Sequence, residues 1–157
     1  MKYIRLTKEQ LEELHQEFIN FLATQAITGD EWTQIKAEKP EVAEQELDVF
    51  SDLVWDAVLT KAEYLENFLP QQLFLFKLDK EIMHLVVVTV NDRSIDIKTP
   101  DGYSWLQNNL ESDKVEFFTA SNAYSEDRNG DIFTLMRKGA EITKGELYGF
   151  FEKLVKH

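Results

Sequence analysis

Cysteine is absent from this 157-residue chain. Its absence removes disulfides, thiolate zinc sites, iron–sulfur clusters and cysteine nucleophiles together. Proline and glycine are scarce, at three and six residues, so no collagen-like or low-complexity segment is present. Histidine occurs three times, at 15, 84 and 157, which leaves few addresses for the side chain most used in acid–base work near neutral pH. Cations are in the minority: 17 Lys and Arg stand against 29 Asp and Glu, net −12. That balance opposes binding to nucleic-acid phosphates. The longest apolar run, around Leu85, Val86, Val87 and Val88, falls far short of the roughly 20 residues needed to cross a bilayer. Met1 to Thr7 has no apolar export pattern either, so the expectation is a cytoplasmic protein with no membrane partner. Glycine-rich nucleotide loops, the Gly-x-Ser-x-Gly elbow and His-Glu-x-x-His are missing, and no cofactor is implied.

What is present is material for a core. Apolar residues make up 43% of the chain, including eleven Phe, five Tyr and three Trp. A chain near 150 residues buries about 68–70% of its extended surface on folding, and the pattern reads as one α+β domain over residues 1–157. Residues 1–69 form a helical half and residues 70–157 a half of strands and helices. Thr7-Lys8-Glu9-Gln10 has the form of a capping box, followed by a stripe of Leu11, Leu14, Phe18, Phe21, Leu22 and Ala26, so a helix begins there. A short helix holding Trp32 and Ile35 follows, capped by Asp30. Pro40 suits the first position of a third helix. That helix is expected to run to about Phe68, with Ala43, Leu47, Phe50, Leu53, Val54, Ala57 and Val58 toward the core.

Beyond Pro70 the period changes. Residues 73–78 and 82–90 read as paired strands, residues 94–98 as a third with Ile95 and Ile97 on one face, and residues 115–119 as a fourth. Helices are expected from Pro100, around Ile132, and after a second capping box at Thr143-Lys144-Gly145-Glu146. The predicted architecture is a mainly antiparallel sheet of about four strands. Helices 1 and 3 would lie on one face and the C-terminal helices or a partner subunit on the other.

Few constellations carry chemistry. His157 reads as a terminus or tag remnant. His15 completes Glu12-x-x-His15, the spacing of carboxylate di-iron bundles, but no second copy exists, so no metal site is assigned. His84 lies in the second strand, with Asp96 as its nearest carboxylate candidate, and the two form the weak catalytic pair of the sequence. Residues 125–136 resemble a calcium loop through the fifth and sixth positions, but Met136 stands where a bidentate Glu should close it. Glu44, Asp48, Asp52 and Asp56 recur every four residues down the third helix, and like charges so spaced repel by about 0.2–0.5 kcal/mol per pair. The same wheel places Trp55 and Leu59 among them, making Asp48, Asp52, Trp55, Asp56 and Leu59 a candidate partner-binding face. The plainer reading is that another segment of this chain covers it.

Lys2-Tyr3-x-Arg5-Leu6-Thr7-Lys8-Glu9-Gln10-Leu11, Phe50-Ser51-Asp52-Leu53-Val54-Trp55 and Ile142-Thr143-Lys144-Gly145-Glu146-Leu147-Tyr148 resemble an uncharacterised family of small, acidic, single-domain proteins of the Bacteroidota. The resemblance implies bacterial, cytoplasmic origin and carries no catalytic residue. The sequence alone therefore points first to a non-enzymatic interaction or regulatory protein, self-associating as a homodimer or binding another protein through the acidic face or an exposed strand edge. A small-molecule enzyme with a sheet–helix pocket around His84 is the alternative. A nucleic-acid mimic is the weaker third.

Overall fold

The computed structural model describes residues 1–156, so the reading of His157 lies outside the described residues. The chain packs as two compact units, Met1–Thr60 and the remainder from Lys61.

The first unit is helical: α1 (Lys8–Glu13), α2 (His15–Thr24), α3 (Gly29–Glu38) and α4 (Pro40–Lys61). The Thr7 capping box forms as expected, with the Thr7 hydroxyl accepting from the Gln10 amide and the Gln10 side chain accepting from the Thr7 amide. The single helix expected from Thr7 is broken at Leu14, and the break lets Leu11 and Leu14 pack on the same cluster as Phe18 and Leu22. Thr28, rather than Asp30, caps α3 through its hydroxyl. Leu6, Phe18, Leu22 and Phe50 form the core of this unit, with the Phe18 ring 5.1 Å from Phe50 and 5.2 Å from Trp32, both edge to face. Such pairs add about 0.5–1.5 kcal/mol beyond burial.

The face α4 buries differs from the expected one. Ala43 and Phe50 are buried, but Leu53 and Val58 are exposed, whereas Ser51 is fully enclosed. Trp55 packs against the Phe50 cluster, and Leu59 is fully buried. Part of the cause is a segment that helical periodicity cannot see: residues 2–6 run along the acidic side of α4 and enclose Ser51.

The second unit carries a five-stranded antiparallel sheet of β1 (Tyr64–Phe68), β2 (Gln72–Leu78), β3 (Ile82–Val90), β4 (Val115–Ala123) and β5 (Glu141–Thr143), in the order β4-β3-β2-β1-β5. The α+β class therefore holds. The third helix stops at Lys61, short of Phe68, because Tyr64, Glu66 and Phe68 alternate with Leu65 and Asn67 and pair with β2 as a strand. Residues 94–98 form no strand. Asp92 Oδ1 accepts from the Ser94 amide and hydroxyl, and Asp96 Oδ1 accepts from the Lys98 amide. These Asx turns bend the chain and drive Ile97 into the core. The positions beside the central strands go to β4 and β1 instead.

The helices α5 (Pro100–Asn108), α6 (Arg128–Arg137) and α7 (Glu146–Val155) complete the unit. Leu106 of α5 and Tyr148 and Phe151 of α7 pack on the face carrying Leu73, Leu75, Val86, Val88 and Val90. The expected second capping box does not form: the cap of α7 is Gly145 at φ 84°, and a Cβ there would meet the Tyr64 ring at 2.5 Å. Only glycine fits both the left-handed turn and that ring.

Candidate functional site

The acidic ladder on α4 is spent within its own unit. Asp52 accepts both the Lys2 amide at 2.6 Å and the Tyr3 amide at 2.9 Å. Asp56 accepts the Tyr3 hydroxyl, and Asp48 accepts from Arg5 Nε at 2.8 Å and Nη2 at 2.7 Å. Glu44 binds the same guanidinium. Between these, the enclosed Ser51 hydroxyl accepts the Leu6 amide at 3.0 Å. Carboxylates that repel as a helical series become acceptors for an adjoining segment whose amides and cations would otherwise lack partners. Burial pushes the Tyr3 phenol up, aided by its bond to Asp56. All five residues of the expected partner face are thus ordered by intramolecular packing, with Trp55 and Leu59 turned inward.

The second unit presents a different arrangement. Pairing register places Thr143, Tyr64, Lys77, His84 and Ser121 side by side across all five strands. In this row His84 Nδ1 lies 2.7 Å from Ser121 Oγ and His84 Nε2 lies 3.0 Å from Asp79 Oδ2. In the neutral ring the Nε2–H donates to the Asp79 carboxylate, which only accepts, and Nδ1 is then the acceptor of the serine hydroxyl. The ring is used the opposite way round from the familiar serine-hydrolase triad, but hydroxyl, imidazole and carboxylate stand in the same sequence of contacts.

Asp79 sits in the β2–β3 turn, and that turn is fastened from outside. The Tyr124 hydroxyl donates to the Asp79 carbonyl at 2.8 Å. Arg128, from the first turn of α6, donates to the carbonyls of Asp79 at 3.2 Å, Leu78 at 3.2 Å and Ala62 at 3.0 Å. Its guanidinium also faces the Tyr124 ring, 5.6 Å from the centroid.

The row opens onto a cleft of about 450 Å³ lined by Lys77, His84, Ser121, Thr119, Tyr148 and Glu152, with Lys156 at its rim. Its size is that of a small-ligand site. Lys156 pairs with Glu152 at 3.7 Å, whereas among the described residues no carboxylate pairs with Lys77. Burial, together with Glu152, pushes the Tyr148 phenol up to about 12, so it stays a neutral donor across the working range of a protein.

Asp96 is not the partner of His84. Its carbonyl lies where a Cβ on Gly102 would fall, 1.8 Å away, and its carboxylate is committed to Lys98. The true partners, Asp79 and Ser121, were outside the reach of sequence reasoning because a turn carboxylate and a strand serine meet only through register. Their one local signal is the alternation that puts Ser121 on the same face as Val115 and Phe117.

The remaining candidates close on themselves. His15 and Glu12 are exposed on either side of the Leu14 break. In the calcium-like loop, the Ser125 amide and hydroxyl each donate to Asp131 at 2.8 Å, and Asp127 caps Gly130. Among the described residues no group of three or more His, Asp or Glu could hold a metal ion. Among the described residues no helix is long and apolar enough to cross a membrane. Glu66 and Glu141 stand directly opposite each other on β1 and β5. Burial, reinforced by Glu141, raises the Glu66 carboxyl above its ordinary range.

The chain belongs to the family of unknown function DUF6495, which matches residues 1–156. No curated protein and no solved structure matches it.

Proposed function

We propose, for this member of a family without an assigned activity, that the second unit is a small-molecule hydrolase acting on an ester that carries a negative charge. The observation that carries this reading is the Asp79–His84–Ser121 chain of contacts at 3.0 and 2.7 Å, opening on a cleft of ligand size. Nucleophile, base and orienting group within hydrogen-bond reach are the geometric requirement for an activated serine. Lys77, beside His84 in the row, supplies the cation for a substrate anion or for the oxyanion of the reaction.

In the reaction, Ser121 Oγ attacks the ester carbonyl carbon as its proton passes to His84 Nδ1. The imidazolium, held by Asp79, gives that proton to the departing alkoxide and leaves an ester on Ser121. Water then attacks the acyl carbon and gives a proton to His84, which returns it to the Ser121 oxygen as the acid leaves. Asp79 and His84 are both open to water, with 48% and 32% of their side chains accessible, as suits hydrolysis.

An interaction role at Asp48, Asp52, Trp55, Asp56 and Leu59 draws less support, since the three carboxylates already serve residues 2–6, Trp55 packs on the α-helical core and Leu59 is fully buried. Nucleic-acid mimicry needs those same carboxylates free. The bacterial, cytoplasmic setting belongs to this proposal and rests on the sequence resemblance.

The test is covalent. A fluorophosphonate followed by intact mass should add one phosphonyl group to the wild type and none to Ser121→Ala, and His84→Gln should slow labelling by at least about 100-fold, the scale of lost general-base catalysis. Equal labelling of wild type and Ser121→Ala, or none of either, overturns the reading.

A further inference from the structure

The outer edge of β4 is the longest unprotected backbone in the second unit. β4 ends the strand order, spans nine residues, and contains no proline and one charge, Glu116. Natural edges are normally blunted by lysine, proline, a bulge or brevity, and β4 uses none of these. Phe118 stands at 60% exposure near its middle.

The ladder with β3 fixes which peptide groups face out. The Asn91 amide donates to the Lys114 carbonyl, and the Tyr124 amide donates to the Glu81 carbonyl. Even-numbered residues of β4 therefore bond to β3. Phe117, Thr119, Ser121 and Ala123 direct both N–H and C=O away from the sheet, because the two groups of one residue point to the same side. Among the described residues, no strand pairs with this edge.

We propose that a second copy of this chain fills it, with β4 pairing antiparallel to itself about a two-fold axis at Thr119. Three observations select this occupant. Outward-facing residues must oppose outward-facing residues, so the axis falls on a residue and never between two, and of those positions only Thr119 pairs all nine residues. At that register Phe118 faces Ala120 of the partner subunit and Phe117 faces Ser121 of the partner subunit, so each large side chain meets a small one on both faces of the sheet. Glu116 faces Asn122 of the partner subunit, so the strand's single charge meets no like charge. The contact is isologous and closes at two copies. It also lays the partner subunit's Phe117 beside Ser121, which adds an aromatic wall to the cleft.

The chain carries a net charge of −12, so two copies repel at long range, and salt screens this repulsion over a Debye length of about 8–10 Å. Dimerisation through a neutral strand should accordingly tighten as salt rises, the reverse of an ion-paired interface.

Sedimentation equilibrium of the full chain tests the proposal, with folding of each variant checked by far-ultraviolet circular dichroism. The wild type should sediment at twice 18.4 kDa, more completely in 0.5 M than in 0.05 M salt. Thr119→Pro removes an outward N–H and leaves the β3 ladder intact, because Thr119 bonds only outward. Phe118→Lys places like charges close together across the axis. Each should raise the dissociation constant by at least about 100-fold, whereas Ile142→Lys, on the opposite edge strand β5, should leave it unchanged. A monomeric wild type at high micromolar concentration overturns the proposal. So does a dimer that survives Phe118→Lys, or one that Ile142→Lys dissolves. Where Thr119→Pro fails to fold, Phe118→Lys decides. Serine labelling is read separately, so loss of the dimer and loss of the hydrolase reading are distinguishable.

Discussion

The acidic flank of α4 and the strand row through His84 are both dense in polar side chains, yet only one of them has chemistry left to give. On α4, Asp48, Asp52, Asp56 and Ser51 are each bonded to residues 2–6, so their lone pairs serve folding. In the strand row, His84 and Ser121 are bonded to each other at the mouth of a cleft, and Lys77 keeps its charge unneutralised by any described carboxylate. A run of charges is thus a poor guide to function; what matters is whether its hydrogen bonds are already satisfied within the molecule.

This contrast can be broken by mutation. The largest effect on stability is expected at Leu6→Ala, since Leu6 anchors residues 2–6 in the Phe18–Phe50 cluster. Its loss should cost about 2–5 kcal/mol in denaturant unfolding, while Ser121→Ala stays within about 0.5 kcal/mol of wild type. Equal costs at the two positions would erase the distinction drawn between a structural and a functional polar region. Asp52→Ala should come next, at about 1–3 kcal/mol, because it strands the Lys2 and Tyr3 amides at once. A negligible loss in the same unfolding assay would show that residues 2–6 are not held by the ladder.

The smallest effect sharpens the comparison within the sheet. Glu141→Lys replaces a directly opposed like-charge pair and should stabilise by about 0.2–1 kcal/mol. Because the Glu66 carboxyl is raised in the fold above 4.5, its contribution is full below the unfolded value and is lost as pH rises through the folded one. The wild type should therefore lose stability on passing from pH 4.5 upward through that folded value. In Glu141→Lys this part of the slope should shrink, and an unchanged slope would exclude the pair as its source.

Local rules read much of this molecule from sequence. The Thr7 box, the Pro40 and Pro100 starts, β2, β3 and most of β4 follow from capping chemistry and period. The differences arise where a distant segment decides the outcome, as for residues 2–6 and 64–68, or where a nearby side chain bonds the backbone first, as at 94–98. Residues 2–6 form no regular element, so nothing in their pattern announces that Tyr3 and Leu6 will be buried on α4 and turn Leu53 outward. Residues 64–68 fit a helical wheel and a strand equally over so short a span, and β2 and β5 settle the choice. Residues 94–98 alternate as a strand should, but Asp92 and Asp96 bond their own backbone first. His84 was visible as a candidate, whereas Asp79 and Ser121 lie 5 and 37 positions away and become its partners only once the register is known.

Arg128 fastens the Asp79 turn through the Leu78 and Asp79 carbonyls and ties it to the Ala62 carbonyl ahead of β1. The proposed relay is consequently geared to α6: tilting that helix would shift the turn that carries the Asp79 carboxylate without any ligand being touched. A lysine there, offering one ammonium in place of a planar fork, would leave the machinery assembled but slack.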